Sequence, residues 1–463
     1  MTLMTAAAAG PLDAAARLAG CRGRVLLHSA RDDDGLGRWS FVAAEPRATL
    51  IARGHSLVRL DAAGRPERRF TADPFEAAAD FLAEHGCRLE DLGGGGGGRR
   101  APVPRVIGYL GYELAGVLSP RPLPSAGAGA GRDTPDLWLG AYDAVACWRG
   151  GAVEVIGEPA ARARLADQLA QPPRPSLPPS FGPLVPDDAG DLYLARIGRI
   201  RDYLAAGDVY QVNLARRLVA RIAASGDALA VYAAFAEVAP APYGALLECD
   251  GVTVISGSPE RFLGARGDRV ETRPIKGTRP RTAGAAEELA ASAKDAAEHL
   301  MIVDLERNDL GRIAETGSVT VDDLGYVVEL PALYHKVSRI SARPRPGVGH
   351  ADLLRATFPG GSITGAPKQR AMEIIDELEP ARRGPYCGAL GYFGEGGALE
   401  LAIAIRIGVI VGNELRVHVG GGIVADSDPS AELAETELKA TGWRAALDRI
   451  ARAALTPPRP LDG

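Results

Sequence analysis

Lys276 stands between a proline and a glycine turn in Glu271-Thr-Arg-Pro-Ile-Lys276-Gly-Thr-Arg-Pro-Arg281, one of only five lysines in a chain with 53 lysines and arginines. The others are Lys294, Lys336, Lys368 and Lys439, and none occurs in the first 275 positions. A chain that writes arginine almost everywhere keeps lysine where a guanidinium cannot serve. The clearest such need is a primary amine that loses its proton and attacks carbon, which arginine cannot do at ordinary pH.

Carboxylates supply the second signal. Asp295 and Glu298 lie three apart in a segment of helical spacing, so both acids share one helix face. Glu432 and Glu435 repeat the pattern, with Lys439 one turn on, in a helix opened by Asp428-Pro429. Either pair alone is also what a solvated face with local ion pairs looks like. If the two helices meet, four carboxylates facing a cleft need a cation. Magnesium suits them, because it takes one or two direct carboxylates, keeps several waters and leaves a position for an acidic substrate oxygen.

Arg406 falls among the small residues Ala402, Ala404 and Gly408, on the even face of a strand read over 401–411 whose odd face is large and apolar. An arginine with room beside it points to an anion, though a solvent-facing strand has the same pattern. Gly420-Gly-Gly422, at the end of the next strand, either brings backbone N–H groups close to a ligand or serves a turn. Gln211 and Asn213 share one face of a strand over 210–222, as a site or a sheet edge would have them.

The elements that must hold these residues form two parts. Residues 1–171 read as a β-rich lobe, with strands over 24–29, 39–43, 48–52, 56–60, 106–114 and 137–147 and helices over 74–85 and 161–170. Residues 172–190 are crowded with proline and read as an extended connector. Residues 191–463 read as the catalytic region. They hold a helix over 191–206, a meander over 252–273 with the tight connection Ser258-Pro259-Glu260, one long helix over 284–313 and the terminal helix from 428 towards 453. The glycine-rich stretches 93–98 and 125–131 read as surface loops, because neither lies between a strand and a helix as a phosphate cradle must.

Composition narrows the function. The 463 residues carry a net charge of −5 and no basic block, so nucleic acid and acidic membranes are excluded as main partners. Hydrophobic content of 46% supports a large core. The five cysteines are scattered, odd in number and never C-x-x-C, against both a disulfide framework and a zinc site. No stretch has the apolar length of a membrane span and no basic leader precedes an apolar run, so a soluble cytoplasmic enzyme is expected.

Six segments together resemble the chorismate-utilising enzymes. They are Gly207-Asp-Val-Tyr-Gln-Val-Asn-Leu214, Ser258-Pro-Glu-Arg-Phe262, the Lys276 stretch, Ala297-Glu-His-Leu-Met-Ile-Val-Asp-Leu305 with Arg307-Asn-Asp309, Pro359-Gly-Gly-Ser-Ile-Thr-Gly-Ala-Pro-Lys368 and Gly420-Gly-Gly-Ile-Val-Ala-Asp426. The resemblance implies an α+β sandwich of two large, mostly antiparallel sheets with outer helices and a site in the cleft between them. It implies Glu260 as general acid, and magnesium between Glu298 and Glu435 with Asp295 and Glu432 reaching it through water. Tyr386, Arg406 and the amides of Gly420, Gly421 and Gly422 would hold a substrate carboxylate, with His335, Ser362 and Thr364 lining the pocket and Lys439 bracing the acids.

Within that family the sequence is most similar to the branch that aminates chorismate at C4, which carries lysine in Pro-Ile-Lys-Gly-Thr where the anthranilate-forming branch carries alanine. Isochorismate and salicylate synthases place a water-activating lysine at the position of Gln211. The resemblance thus implies ammonia as nucleophile, a Lys276 adduct at C2 and a separate glutamine amidotransferase subunit, since no Gly-x-Cys-x-Gly elbow occurs here. Amination at C2, or an idle chorismate-binding regulatory subunit, are the alternatives. Many relatives bind tryptophan through Leu-Leu-Glu-Ser in the N-terminal lobe. Here the stretch is Leu26-Leu27-His28-Ser29, and no tryptophan feedback is expected.

Overall fold

The computed structural model describes residues 8–32, 35–93, 103–119, 133–174, 176–330 and 333–455. Two antiparallel sheets, each twelve-stranded among these residues, give the α+β sandwich expected. Period-two alternation sorts the side chains. Val25, Phe41, Leu247 and Val254 of the first sheet enter the core shared with the second sheet, while their neighbours Leu26, Val42, Leu246 and Ile255 enter a second core under the helices. That outer core is closed by Ala228–Val238 and Pro429–Leu455, where Phe235 stacks on Trp443 at 4.0 Å between centroids. Among the described residues no helix is long and apolar enough to cross a membrane.

Both sheets draw strands from either side of the connector. In the first, Val25–His28 pairs with Tyr243–Cys249, and in the second Pro104–Leu110 pairs with Ala389–Gly394. The connector itself is extended and adds two short strands, Ser180–Phe181 and Val185–Pro186, to the edge of Gln211–Ala224.

Several expected elements are broken where the chain changes sheet or direction. The 137–147 run is two strands, Leu137–Ala141 in the second sheet and Ala144–Arg149 in the first. The 401–411 run is likewise Leu399–Ile403 in the second sheet and Ile407–Val411 in the first, and Arg406 lies in the crossing with φ 51. A non-glycine residue in the left-handed region is uncommon and carries strain that the surrounding contacts must offset. The 284–313 helix is two helices, Ala285–Ala291 and Ala293–Gly311, because Ser292 leaves helical geometry and its Oγ accepts from Asp295 N at 3.2 Å as a new N-cap. Gly420–Gly422 lie inside the strand Glu414–Ile423, paired with Gln211–Ala224, and not at a strand end. The helices Pro11–Arg17 and Ala228–Val238 and the strands Pro66–Thr71, Ala152–Gly157 and Tyr243–Cys249 were not anticipated. Residues 94–98 and 125–131 lie outside the described residues.

Candidate active site

Two chain crossings between the sheets lie side by side. The first runs from Val252–Ser258 to Arg261–Arg266 and carries Glu260; the second carries Arg406. They are tied by Gly257 N donating to Arg406 O at 3.1 Å and Ile403 N donating to Glu260 O at 3.0 Å. Glu260 is only 5% exposed, and burial pushes its carboxyl up to about 7 against the opposing pull of Ser362 and the Lys276 charge. A rise from 4.5 to about 7 favours the protonated form by about 3 kcal/mol, enough to keep it substantially present at neutral pH.

Lys276 comes from the strand Ile275–Pro280 at a break in its register with Leu333–Ala342. The irregularity re-aims the side chain, and Gly277 at φ 82 permits it, since a Cβ there would stand 2.9 Å from Leu289 and 3.1 Å from Asp295. The ammonium's Nζ donates to Ser362 O at 3.3 Å, and the same carbonyl accepts from Asn213 Nδ2 at 3.0 Å. Burial pulls the lysine below its ordinary pKa; Glu260, Glu298 and Glu435 oppose that and Lys439 reinforces it. An amine so placed loses its proton more readily than a surface lysine.

The paired acids approach Lys276 from two helices. Glu298 of Ala293–Gly311 and Glu435 of Pro429–Leu455 both act on its charge, and Lys294 of the first helix acts on Glu432 of the second. Glu435 is met by Lys439 at 2.6 Å, and Lys439 also donates to Gly420 O at 2.7 Å. Glu432 accepts from Ser427 at 2.7 Å, and burial raises its carboxyl. Asp295 is held by Arg279 at 2.7 Å. Among the described residues no three acids or histidines form a ready cation cluster. The donor set fits an ion that keeps most of its water, with one carboxylate from each helix. The glycines opposite leave room for these acids: a Cβ on Gly421 would stand 3.0 Å from Glu432 Oε2.

Of the other residues expected at the site, His335, Ser362, Thr364, Tyr386 and Gln211 are buried and Arg406 is exposed. His335 is buried, shares a hydrogen bond with Thr278 Oγ1 at 2.8 Å, and is pushed down to about 4 by burial, with Arg406 and Arg31 reinforcing. Among the described residues no carboxylate pairs with Arg406, which suits it to an anion. Tyr386 is buried and stacks on His418, 5.2 Å between centroids and 13° between planes. Thr364 Oγ1 donates to Gly360 O at 3.0 Å and so shapes the turn. Gln211 is fully buried against Gly422, with both amide atoms unpartnered among the described residues.

A family model described as chorismate binding enzyme matches residues 28–444. The chain belongs to the chorismate binding enzyme family. Among its relatives, aminodeoxychorismate synthase component 1 of Klebsiella aerogenes is 39% identical over 427 residues, covering 89% of this chain and 91% of the relative. Anthranilate synthase component 1 of Streptomyces coelicolor is 37% identical over 462 residues, covering 93% and 84%. The crystal structure of anthranilate synthase component I from Streptococcus pneumoniae aligns with a TM-score of 0.73 at 28% identity, covering 88% and 92%.

The stretch Leu26-Leu27-His28-Ser29 has a histidine at the third position of the tryptophan motif named above. Here a cavity of about 690 Å³ between the sheets is lined by Leu27, His28, Ser29, Trp39, Phe41 and Tyr392, among others, and by neither Lys276 nor Glu260. His28 Nδ1 meets Tyr232 Oη at 2.9 Å, and burial pulls the ring's pKa down. The cavity's acids are engaged: Glu400 with Arg261 at 2.6 Å and Asp322 with Ser341 at 2.6 Å, while Glu271 pairs with Arg261. Among the described residues an ammonium entering here meets no free carboxylate, so millimolar tryptophan is expected to change neither chorismate turnover nor the melting temperature. Inhibition or a clear thermal shift would reverse this reading.

One buried acid escaped the sequence. Glu306 lies in the apolar stripe of Ala293–Gly311 with Ile302, Val303 and Leu310. A glutamate interrupting such a stripe was the available signal.

Proposed function

We propose that this chain forms 4-amino-4-deoxychorismate from chorismate and ammonia, for 4-aminobenzoate and folate synthesis. The observation that carries the reading is Lys276: a cleft amine whose pKa burial lowers, held at the Ser362 carbonyl with the buried Glu260 acting on its charge. The names of the Klebsiella and Escherichia coli relatives, 39% and 38% identical, support the C4 product.

In this reading Glu260 gives its proton to the C4 hydroxyl, which leaves as water while the neutral Lys276 amine bonds to C2 and the ring double bond shifts. Ammonia then bonds to C4, the double bond shifts back, and the C2–N bond breaks to return the lysine amine. The Glu260 carboxylate takes the surplus proton from the new C4 ammonium, which restores the acid. Arg406, Tyr386 and the backbone amides of Gly420–Gly422 hold the side-chain carboxylate, and His335, Ser362, Thr364 and Gln211 enclose the ring. Glu298 and Glu435, with Asp295 and Glu432 through water and Lys439 as brace, would hold magnesium. When bound, that ion supplies the positive charge that seats the ring carboxylate. Ammonia comes from a separate glutamine amidotransferase subunit, a reading that the component 1 names of the relatives support.

Amination at C2 is the second reading, favoured by the similarity to anthranilate synthases at 37–38% identity. The test is the product made from chorismate, magnesium and ammonium at mildly alkaline pH, resolved by chromatography and mass. The C4 amine is expected. Anthranilate or 2-amino-2-deoxyisochorismate would move the chain to the second reading, and no turnover with ammonium would make it a binding subunit.

A further inference from the structure

Glu306 is a buried carboxyl that the reaction as drawn does not use. It is 4% exposed and makes two contacts that reach different parts of the cleft. Its Oε1 accepts from Gly361 N at 3.0 Å, at the start of the Gly361–Ile363 turn whose Ser362 carbonyl holds Lys276. Its Oε2 accepts from Thr272 Oγ1 at 3.2 Å, on the strand Arg269–Arg273 that leads into Lys276. One side chain therefore ties the strand that precedes the nucleophile's own, and the turn that Lys276 rests on, to the same helix. The approach is close: a Cβ on Gly361 would stand 2.6 Å from Leu305 and 3.3 Å from Glu306 Oε1.

We propose that Glu306 is a positioning residue that fixes Lys276 against Ser362, by holding both the Gly361–Ile363 turn and Thr272 to the helix Ala293–Gly311. This rests on the reaction proposed above. The groups that face Glu306 are Asp309 on its own helix, Lys368 from Lys368–Leu378 and Glu260 from the first crossing. Lys368 is committed to Asp309 at 2.5 Å and Thr357 O at 2.9 Å, so its charge is largely matched. Burial, Asp309 and Glu260 together push Glu306 up to about 7, the same range as Glu260. Both of Glu306's contacts survive protonation, because the Thr272 hydroxyl can accept from a carboxyl O–H as well as donate to a carboxylate.

Glu306→Gln keeps the shape and both hydrogen bonds but cannot ionise. Turnover is read as chorismate loss at fixed free ammonia, which does not depend on the carbon that takes the nitrogen. The variant is expected to keep both kcat and KM within about fivefold of wild type. Glu306→Ala loses both ties and is expected to drop kcat by about 30-fold or more with KM changed far less, a loss that glutamine restores. A kcat in Glu306→Gln as low as in Glu306→Ala, or wild-type kcat in Glu306→Ala, would overturn the proposal. Should the alanine variant fail to fold, Thr272→Val removes one tie with its shape kept, and an unchanged kcat there has the same force. A C2 product from wild type would sink the lysine-adduct reading alone, leaving the kcat losses of the Glu306 variants to be judged separately.

Discussion

Replacing Lys276 with alanine is expected to cut formation of the C4 amine by at least about 10³-fold, the scale on which enzymes lose rate when a covalent nucleophile is removed. Without the amine, ammonia can enter only by direct attack, so residual product should carry nitrogen at C2. Lys276→Arg is the sharper control, because it keeps the positive charge beside Glu260, Glu298 and Glu435 while remaining protonated at any working pH. A lysine that only clamped a carboxylate would be replaced by arginine at modest cost. A lysine that attacks carbon would not. Chorismate turnover by the two variants, with products separated by mass and retention, decides the matter: C4 amine at wild-type rate from Lys276→Arg would reject the adduct.

Glu260→Gln carries the second large effect, a fall in kcat of about 10²–10⁴-fold, as is usual when a general acid is lost. The pH dependence follows from signs. Glu260 works protonated and is pushed up to about 7, so turnover should decline as pH rises through that region. Lys276 works as the free amine and is pulled below its ordinary pKa, so turnover should rise with pH on the acid side. The profile at fixed free ammonia is a bell, and in Glu260→Gln what activity survives should lack the alkaline limb. An intact alkaline limb in that variant would assign the proton to another group.

Much of the candidate site was legible because it depends on residue type. A lone lysine in an arginine-rich chain and acids at i and i+3 on two helices need no tertiary information. What escaped depends on where the chain turns. Large and small residues alternate straight through 401–411, so nothing in the pattern shows that Arg406 adopts φ 51 and carries the chain from one sheet to the other. Helical periodicity likewise runs through Ser292, whose hydroxyl ends one helix and caps the next. Gly420–Gly422 looked like a strand end because glycine disfavours sheets. Their positions are instead set by Glu432 and Gln211, which occupy the space that their side chains would fill. Glu306 was passed over for a related reason: its partners, Gly361 and Thr272, lie far away in sequence on both sides.

The pairing of early strands with late ones has a consequence for the birth of the protein. Val25–His28 waits for Tyr243–Cys249, and Pro104–Leu110 waits for Ala389–Gly394. At about 5–20 residues per second of translation, the second wait lasts on the order of tens of seconds. Throughout it, an apolar strand has one flank of N–H and C=O groups open to any passing chain. Neither sheet can close until the ribosome has delivered Leu399–Ile403 and Glu414–Ile423, so the two sheets are completed late and almost together.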